Sequence, residues 1–220
     1  MTPQLPDKSR TDGTANPPDS YLTLGDSAAA EIKIQRSRFI GAASPAADEQ
    51  AARNFIAAQA KRFHDSRHVC HGWSLGIAPL QSENRNDDGE PSGTAGEPIL
   101  VEIRKRNLSQ VVVVVVRYFG GIKLGTGGLA RAYGQAAAEA LAAAPVRTIL
   151  EGRTFTVEFP YALQKTLSHL LERHEGKVVQ QEYGADVKWS IWLPHSRWAA
   201  FAAVLTETTA GSIHLNEPAS

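Results

Sequence analysis

The sequence has little of several features that would otherwise define its class. Its 220 residues include one cysteine, Cys70, so no disulfide can form within the chain and a reducing cytoplasm is the expected compartment. Its longest valine run has six residues, far fewer than the roughly 20 apolar residues of a membrane-spanning helix. Residues 1–30 contain no apolar segment behind a basic start, so a secretory signal is not expected.

The sequence also lacks an excess of charge of either sign. Lysine and arginine total 23, and aspartate and glutamate also total 23. The distribution is uneven, because residues 31–147 carry 15 basic and 11 acidic side chains, whereas residues 148–220 carry 6 and 8. This bias permits an electropositive face on the first segment. It is well short of a strongly basic domain, so sequence-specific DNA binding is not expected.

The signatures of common catalytic sites are missing as well. No serine lies in a G-x-S-x-G elbow, and no H-E-x-x-H motif occurs. His68, Cys70 and His71 form a cluster with only one cysteine. Alternation along a strand directs His71 away from the other two side chains. A buried, unreactive thiol is therefore favoured over a zinc site or a nucleophile.

The most informative segment that is present, residues 111–134, changes character three times. Six valines predict a strand that is covered on both faces. Five glycines then occur within the nine residues 120–128, and the alanine-rich residues 129–144 predict a helix that ends before Pro145. A strand, a glycine loop and a helix in this order expose backbone N–H groups at a helix start, where anions bind.

Two interpretations of the glycine loop stay open. The glycines could serve only tight turns and close packing of the helix on the strand. Alternatively, the loop and its cationic neighbours hold a phosphate of a nucleic-acid backbone. The candidate residues for this anion site are Arg117, Lys123, Gly125, Thr126, Gly127, Gly128 and Arg131.

A nucleotide cofactor is not expected at this loop. Thr126 and Gly127 stand where a phosphate-binding loop needs Lys followed by Ser or Thr. Eight residues separate Val116 from Gly125, too many for a dinucleotide fingerprint that directly follows its strand.

Three acids, Asp87, Asp88 and Glu90, form a second candidate site within the loop-like residues 79–96. Their spacing does not match a calcium loop. A solvated acidic turn without a metal is favoured, and pairing of these acids with Arg117 or Lys123 is a further possibility. The alternative function is a metal-dependent phosphoester hydrolase that uses the three acids.

The remaining pattern predicts an α+β chain of two domains behind a disordered tail at residues 1–20. In the first domain, strands are expected at residues 31–36, 39–43 and 68–75, with a helix capped by Asp48 and a short helix from Pro98. The second domain is expected to have the order β-α-β-β-α-β of a ferredoxin-like fold. Its strands are predicted at residues 149–159, 177–183, 187–193 and 213–215, with helices opening at Pro160 and Pro194.

The valine and glycine segment resembles the Impact/YigZ family. Further matches are NDDGEPSGTAGEP at residues 86–98, RSRFIG at 36–41 and RHVCHGW at 67–73. The resemblance implies an N-terminal domain at residues 21–146 that is similar to the second domain of ribosomal protein S5. It implies a ferredoxin-like C-terminal domain at residues 147–217 that is similar to the fifth domain of elongation factor G.

The resemblance also implies a role in translation. Bacterial members look like translation-associated proteins, and eukaryotic relatives regulate initiation by interfering with activation of a starvation-responsive kinase. We therefore expect a non-catalytic cytoplasmic protein that binds RNA, the ribosome or a translation-associated protein, without a cofactor. A pure protein-interaction module, in which Trp192 contacts a partner, is another possibility.

Overall fold

Residues 18–216, the part of the chain described by the computed structural model, form ten strands and five α-helices. The disordered tail expected at residues 1–20 lies almost wholly outside this range. Residue 217, the expected end of the C-terminal domain, also lies outside it. The strands are β1 (Ser20–Leu24), β2 (Ala28–Ile34), β3 (Ser37–Pro45), β4 (His68–Leu75), β5 (Ser82–Asn86), β6 (Val111–Tyr118), β7 (Val146–Leu150), β8 (Gly152–Phe159), β9 (Lys177–Tyr183) and β10 (Val187–Pro194). The helices are α1 (Glu49–Arg62), α2 (Gly96–Lys105), α3 (Gly125–Ala143), α4 (Gln164–Arg173) and α5 (Trp198–Thr208).

The valine run forms the centre of a five-stranded antiparallel sheet with the order β2-β3-β6-β4-β5. All six valines are at most 1% exposed. Val111, Val113 and Val115 pack with α2 and α3 on one face, whereas the alternate valines pack with α1 on the other. The predicted burial of this strand on both faces is confirmed, because β-branched side chains at every position suit a strand with two covered faces.

Helix α3 lies close against β3 because small residues line the contact. A Cβ atom at Gly41 would come within 2.3 Å of the backbone oxygen of Ala136, so only glycine permits this approach. Ala132, Ala136 and Ala140 are buried along the same helix. This close packing fixes where α3 begins relative to the end of β6.

The acid-rich segment differs from its prediction as a loop, because residues Ser82–Asn86 form β5. This strand pairs only with β4, at the edge of the sheet, and all five of its residues are exposed. An exposed edge strand needs no apolar alternation, so the sequence SENRN carries no strand signal. The pairing brings the following acids beside the start of β4.

The C-terminal strands form a second antiparallel sheet with the order β8-β10-β9. Helices α4 and α5 pack on one face, around a core that includes Phe159, Trp189 and Phe201. The strand predicted at residues 213–215 is absent from the described residues. In its place a single bridge joins Thr156 to Asn216 at the β8 edge.

The strand predicted at residues 149–159 is divided into β7 and β8 on either side of Glu151. Strand β7 pairs antiparallel with β1 in a separate two-stranded sheet. The backbone N–H of Gly25 donates to the carbonyl of Pro145 and extends this pairing. Within residues 18–216, no helix has the length and apolar character needed to cross a membrane.

Candidate functional site

A cavity of about 360 Å³ lies between the start of β4, the end of β6 and the first turn of α3. The register of the sheet pairs His68 on β4 with Arg117 on β6, so the side chains at these two strand ends share one region. We call this cavity the α3 groove. The side chains and backbone that define it include Arg67, His68, Glu90, Phe119, Lys123 and Thr126.

A buried ion pair forms the floor of the α3 groove. Nη1 of Arg117 donates to Oε1 of Glu90 at 2.6 Å, and the hydroxyl of Tyr133 donates to the same oxygen at 2.8 Å. The Arg117 and Glu90 side chains are only 7% and 4% exposed. The glutamate therefore neutralises the arginine, which acts as part of the floor and not as a free cation.

The first turn of α3 forms one wall of the groove. The helix begins at Gly125, four residues before the predicted start, so the last glycines of the loop belong to the helix. Leu124 occupies the N-cap position and makes no side-chain hydrogen bond to the helix. Gly125 has a φ of +70° and open space where a Cβ would lie, which suits glycine at this turn. The N–H groups at a helix start carry partial positive charge.

Asp87 caps α2 instead of facing the groove. Its carboxylate accepts backbone hydrogen bonds from Gly93, Ala95 and Gly96 at 2.8 to 2.9 Å. Burial by itself would raise the pKa of Asp87, but these three hydrogen bonds, which favour the charged form, hold the pKa below its usual value. The acid therefore orders the loop before α2.

Asp88 ties the same loop to β4. Its Oδ2 accepts the backbone N–H of Val69 at 2.6 Å, and its carbonyl accepts Nδ1–H of His68 at 2.7 Å. Because a carbonyl can only accept, Nδ1 of His68 must carry the hydrogen. Nε2 of His68 is then directed toward Glu90, at 3.9 Å from Oε1.

The three acids thus have three different structural partners. Asp87 binds backbone N–H groups, Asp88 binds β4, and Glu90 binds Arg117 and Tyr133. Among residues 18–216, no group of three or more His, Cys, Asp or Glu side chains is arranged to hold a metal ion. The arrangement offers no specific support for the hydrolase alternative.

Arg131 does not line the α3 groove, although its Nη1 lies 3.6 Å from where a Cβ of Gly127 would be, at the first turn of α3. It lines a different cavity of about 440 Å³ between α2 and α3, together with Glu97, Glu102 and Lys105. The structure therefore brings together Arg117, Lys123, Gly125 and Thr126 but not Arg131. Gly127 and Gly128 lie in the first turn of α3, where a Cβ at Gly128 would contact the Leu124 side chain at 3.1 Å.

The cysteine and histidine cluster has the predicted two-sided arrangement. Cys70 is fully buried, and its thiol donates to the carbonyl of Asp87 at 3.0 Å. Burial raises the pKa of Cys70 to about 12, which keeps the thiol protonated at neutral pH. His71 stacks on Trp73 with ring centroids 5.4 Å apart, and burial lowers the pKa of His71.

Three groove residues, Arg67, His68 and Phe119, were not assigned to the anion site from the sequence. Arg67 and His68 precede Lys123 by more than 50 positions, and only the β4–β6 register brings them near it. Phe119 follows the valine strand directly and lies 44% exposed. The local sequence signal for Phe119 was its position as an aromatic residue directly after a buried strand.

The structure is that of a two-domain α+β protein whose N-terminal sheet carries a cavity lined by basic side chains and by the first turn of α3. The family model of the Impact N-terminal domain matches residues 35–141, and a domain of unknown function, DUF1949, matches residues 157–212. The chain belongs to the IMPACT family. It is 35% identical to IMPACT family member YigZ of Escherichia coli over 83% of this chain and 90% of that protein.

Two further comparisons agree with this membership. IMPACT family member YvyE of Bacillus subtilis is 35% identical over 90% of this chain and 91% of its own length. A crystal structure of a protein described only as hypothetical superposes with a TM-score of 0.63 at 32% identity, covering 92% of this chain and 98% of the other. The similarity therefore extends over both domains.

Proposed function

We propose that this protein regulates translation by binding RNA, the ribosome or a translation-associated protein in the cytoplasm, without catalysing a reaction. Membership of the IMPACT family supports this role. The engagement of Asp87, Asp88 and Glu90 by three different structural partners also supports it, because each acid has an evident role in ordering the fold.

The α3 groove is the observation that carries the proposal. Arg67 and Lys123 are exposed basic residues beside the uncapped first turn of α3. Glu90 is the acidic residue that lines the groove, and Arg117 neutralises it. The net charge of the lining is therefore positive, because Arg67 and Lys123 remain. A helix start beside two cations suits a phosphate of an RNA backbone.

We also propose the specific folds and domain limits that the family resemblance implies. The order β2-β3-β6-β4-β5 with α2 and α3 on one face supports an S5 second-domain-like fold for residues 21–146. The order β8-β10-β9, with the Asn216 bridge at the β8 edge, supports a ferredoxin-like fold for residues 147–217. Pairing of β7 with β1 favours a boundary near Glu151, a few residues beyond 146.

Ribosome co-sedimentation at several salt concentrations tests the proposed role. The double variant Arg67→Ala/Lys123→Ala should weaken binding and reduce the slope of log affinity against log salt, by about 1 for each phosphate that the variant no longer neutralises. The matched control is Lys33→Ala/Lys61→Ala, which also removes two exposed basic residues, on β2 and α1, away from the groove. The control should keep both the affinity and the slope.

Two results would contradict the role of the α3 groove in this proposal. Unchanged affinity and slope in the Arg67/Lys123 variant would remove the groove from the interaction. Binding that survives nuclease treatment of the ribosomes and is lost in Trp192→Ala would instead favour a protein partner at the C-terminal sheet, where Lys177 Nζ lies 4.7 Å from the Trp192 ring centroid.

A further inference from the structure

We infer that the α3 groove is a nucleotide site, in which a base stacks on Phe119 and its phosphate lies at the first turn of α3 beside Lys123. The inference rests on the proposed function and specifies the ligand of the same groove. Four observations carry it: a stack of rings, a helix start, an unpaired buried donor, and the size and charge of the cavity.

The stack of rings runs from the core to the groove. The guanidinium carbon of Arg117 lies 5.5 Å from the ring centroid of Phe39 and 5.4 Å from that of Phe119. Phe39 is fully buried, whereas Phe119 is 44% exposed and lines the groove. The inner partners hold the Phe119 ring in place, and its accessible surface can extend the stack with a base. Stacking on an exposed aromatic side chain is a common way for proteins to bind unpaired bases.

The helix start supplies the phosphate end of the site. Gly125 and Thr126 are exposed and line the groove with Lys123. Because Leu124 provides no side-chain cap, the first N–H groups of this 19-residue helix point toward the space in front of it. A phosphate there would receive backbone hydrogen bonds and the charge of Lys123.

An unpaired donor on the floor of the groove gives an independent indication of a ligand. Arg117 is more than nine-tenths buried, and its Nε is buried with no hydrogen-bond partner among the described residues. Glu90 engages only Nη1 of the same guanidinium. A buried donor without an acceptor is unfavourable, so a ligand oxygen that reached Nε of Arg117 would remove that cost.

The size and charge of the groove fit a mononucleotide. Its volume of about 360 Å³ falls within the range of small-molecule sites. Arg67 and Lys123 contribute two positive charges, whereas Arg117 and Glu90 cancel each other. A nucleoside monophosphate, with its nearly doubly charged phosphate at neutral pH, complements that lining.

Isothermal titration calorimetry with AMP, ribose 5-phosphate and inorganic phosphate tests the inference. Wild-type protein should bind AMP about tenfold more tightly than ribose 5-phosphate, because only AMP can stack. Phe119→Ala should abolish that difference and leave ribose 5-phosphate binding unchanged. Lys123→Ala should weaken both ligands about tenfold.

The matched control is Ile122→Ala, which removes an exposed apolar side chain from the same loop and should bind AMP normally. Circular dichroism melting checks that each variant is folded. Equal affinity of wild-type protein for AMP and ribose 5-phosphate would overturn the inference, as would unchanged AMP binding by Phe119→Ala. Competition with a short single-stranded RNA distinguishes a free nucleotide from a nucleotide of RNA as the ligand. Displacement of AMP by the RNA shows that an RNA nucleotide occupies the same groove.

The inference and the proposed function can fail separately. If AMP does not bind at millimolar concentration but ribosome binding still depends on Lys123, only the nucleotide site is excluded. If AMP binds as expected but Lys123→Ala leaves ribosome binding intact, the nucleotide site stands and the groove's role in ribosome binding is excluded.

Discussion

Glu90 has the most consequential set of contacts at the scale of single residues. It accepts hydrogen bonds from Arg117 and Tyr133 on one oxygen, and it joins the acid loop to β6 and α3. A carboxylate in such a place is held by its partners, because an isolated buried charge is strongly unfavourable. The acid that resembled a metal ligand in the sequence thus organises the floor of the groove.

Replacing Glu90 with alanine should destabilise the protein by about 3–5 kcal/mol, because Arg117 would keep its charge without a buried partner. Urea denaturation measures the change in the free energy of unfolding. The control is Glu49→Ala, which removes an exposed pair with Arg53 on α1 and should cost at most about 0.5 kcal/mol.

A second variant separates the lost pair from lost packing. Glu90→Leu combined with Arg117→Met removes both charges and should recover most of the stability. Equal losses in Glu90→Ala and Glu49→Ala would show that the burial of this pair has no energetic consequence.

At the scale of elements, α2 depends on a cap from outside its own sequence neighbourhood. Its N-cap residue, Ala95, provides no side-chain hydrogen bond. Asp87 replaces that cap from eight positions upstream and binds three backbone N–H groups. The start of the helix is therefore coupled to the order of the acid loop.

Asp87→Ala should lower the free energy of unfolding by about 1–2 kcal/mol at neutral pH. The pKa of Asp87 is lowered in the folded state, so its contribution is present above the ordinary aspartate pKa of about 4 and is lost as the pH falls through the folded pKa. Denaturation curves from pH 7 down to acid should show wild type and variant converging.

The control for this prediction is Asp48→Ala, since Asp48 caps α1 through a single hydrogen bond to Ala51. It should cost less than Asp87→Ala at pH 7. A difference between wild type and Asp87→Ala that stays constant into the acid range would show that the charge of the carboxylate does not contribute to the cap.

The elements also show what local sequence signals could and could not predict. Strand β6 was predictable because six β-branched residues leave no alternative, and the cap at Asp48 was predictable because it acts on its own helix. Strand β5 was missed because SENRN owes its conformation to pairing with β4. Helix α3 begins four residues early because glycine's low helix propensity hid the first turn.

The residues of the α3 groove likewise divide into those that local sequence signals predict and those that they do not. Lys123, Gly125 and Thr126 were predictable as neighbours because they lie within four positions of each other. Arg67 and His68 reach the groove only through the register of β4 against β6, which no local pattern specifies. Arg131 was grouped with Lys123 from the sequence, yet the rotation of α3 directs it to the cavity beside α2.

At the scale of the whole molecule, the hydrophobic residues form separate cores. The two clusters around the five-stranded sheet share no residue with the cluster of the C-terminal sheet. Asp19 links the two parts, because its carboxylate accepts hydrogen bonds from the backbone and hydroxyl of Ser196. Such an arrangement favours two cooperative units joined by few contacts.

Calorimetry should therefore resolve two unfolding transitions. Ile191→Val, in the C-terminal core, and Ile103→Val, in the N-terminal core, remove the same methyl group from fully buried sites. Each should cost about 1 kcal/mol and shift its own transition by several degrees, about 4–8 °C for a small domain. A single transition that either variant shifts would show that the two parts unfold as one unit.

The pairing of β1 with β7 has a consequence for synthesis of the chain. Leu24, which is fully buried at the end of β1, pairs with Val146, a residue made more than a hundred positions later. Strand β1 must therefore wait for its ladder partner until about two thirds of the chain has been made. Before then its hydrogen-bond partners are residues 108–110, through the Leu22–Leu108 bridge and its neighbouring hydrogen bonds. Completion of that domain is timed by its last strand, and its vulnerability to misfolding or proteolysis ends only when β7 arrives.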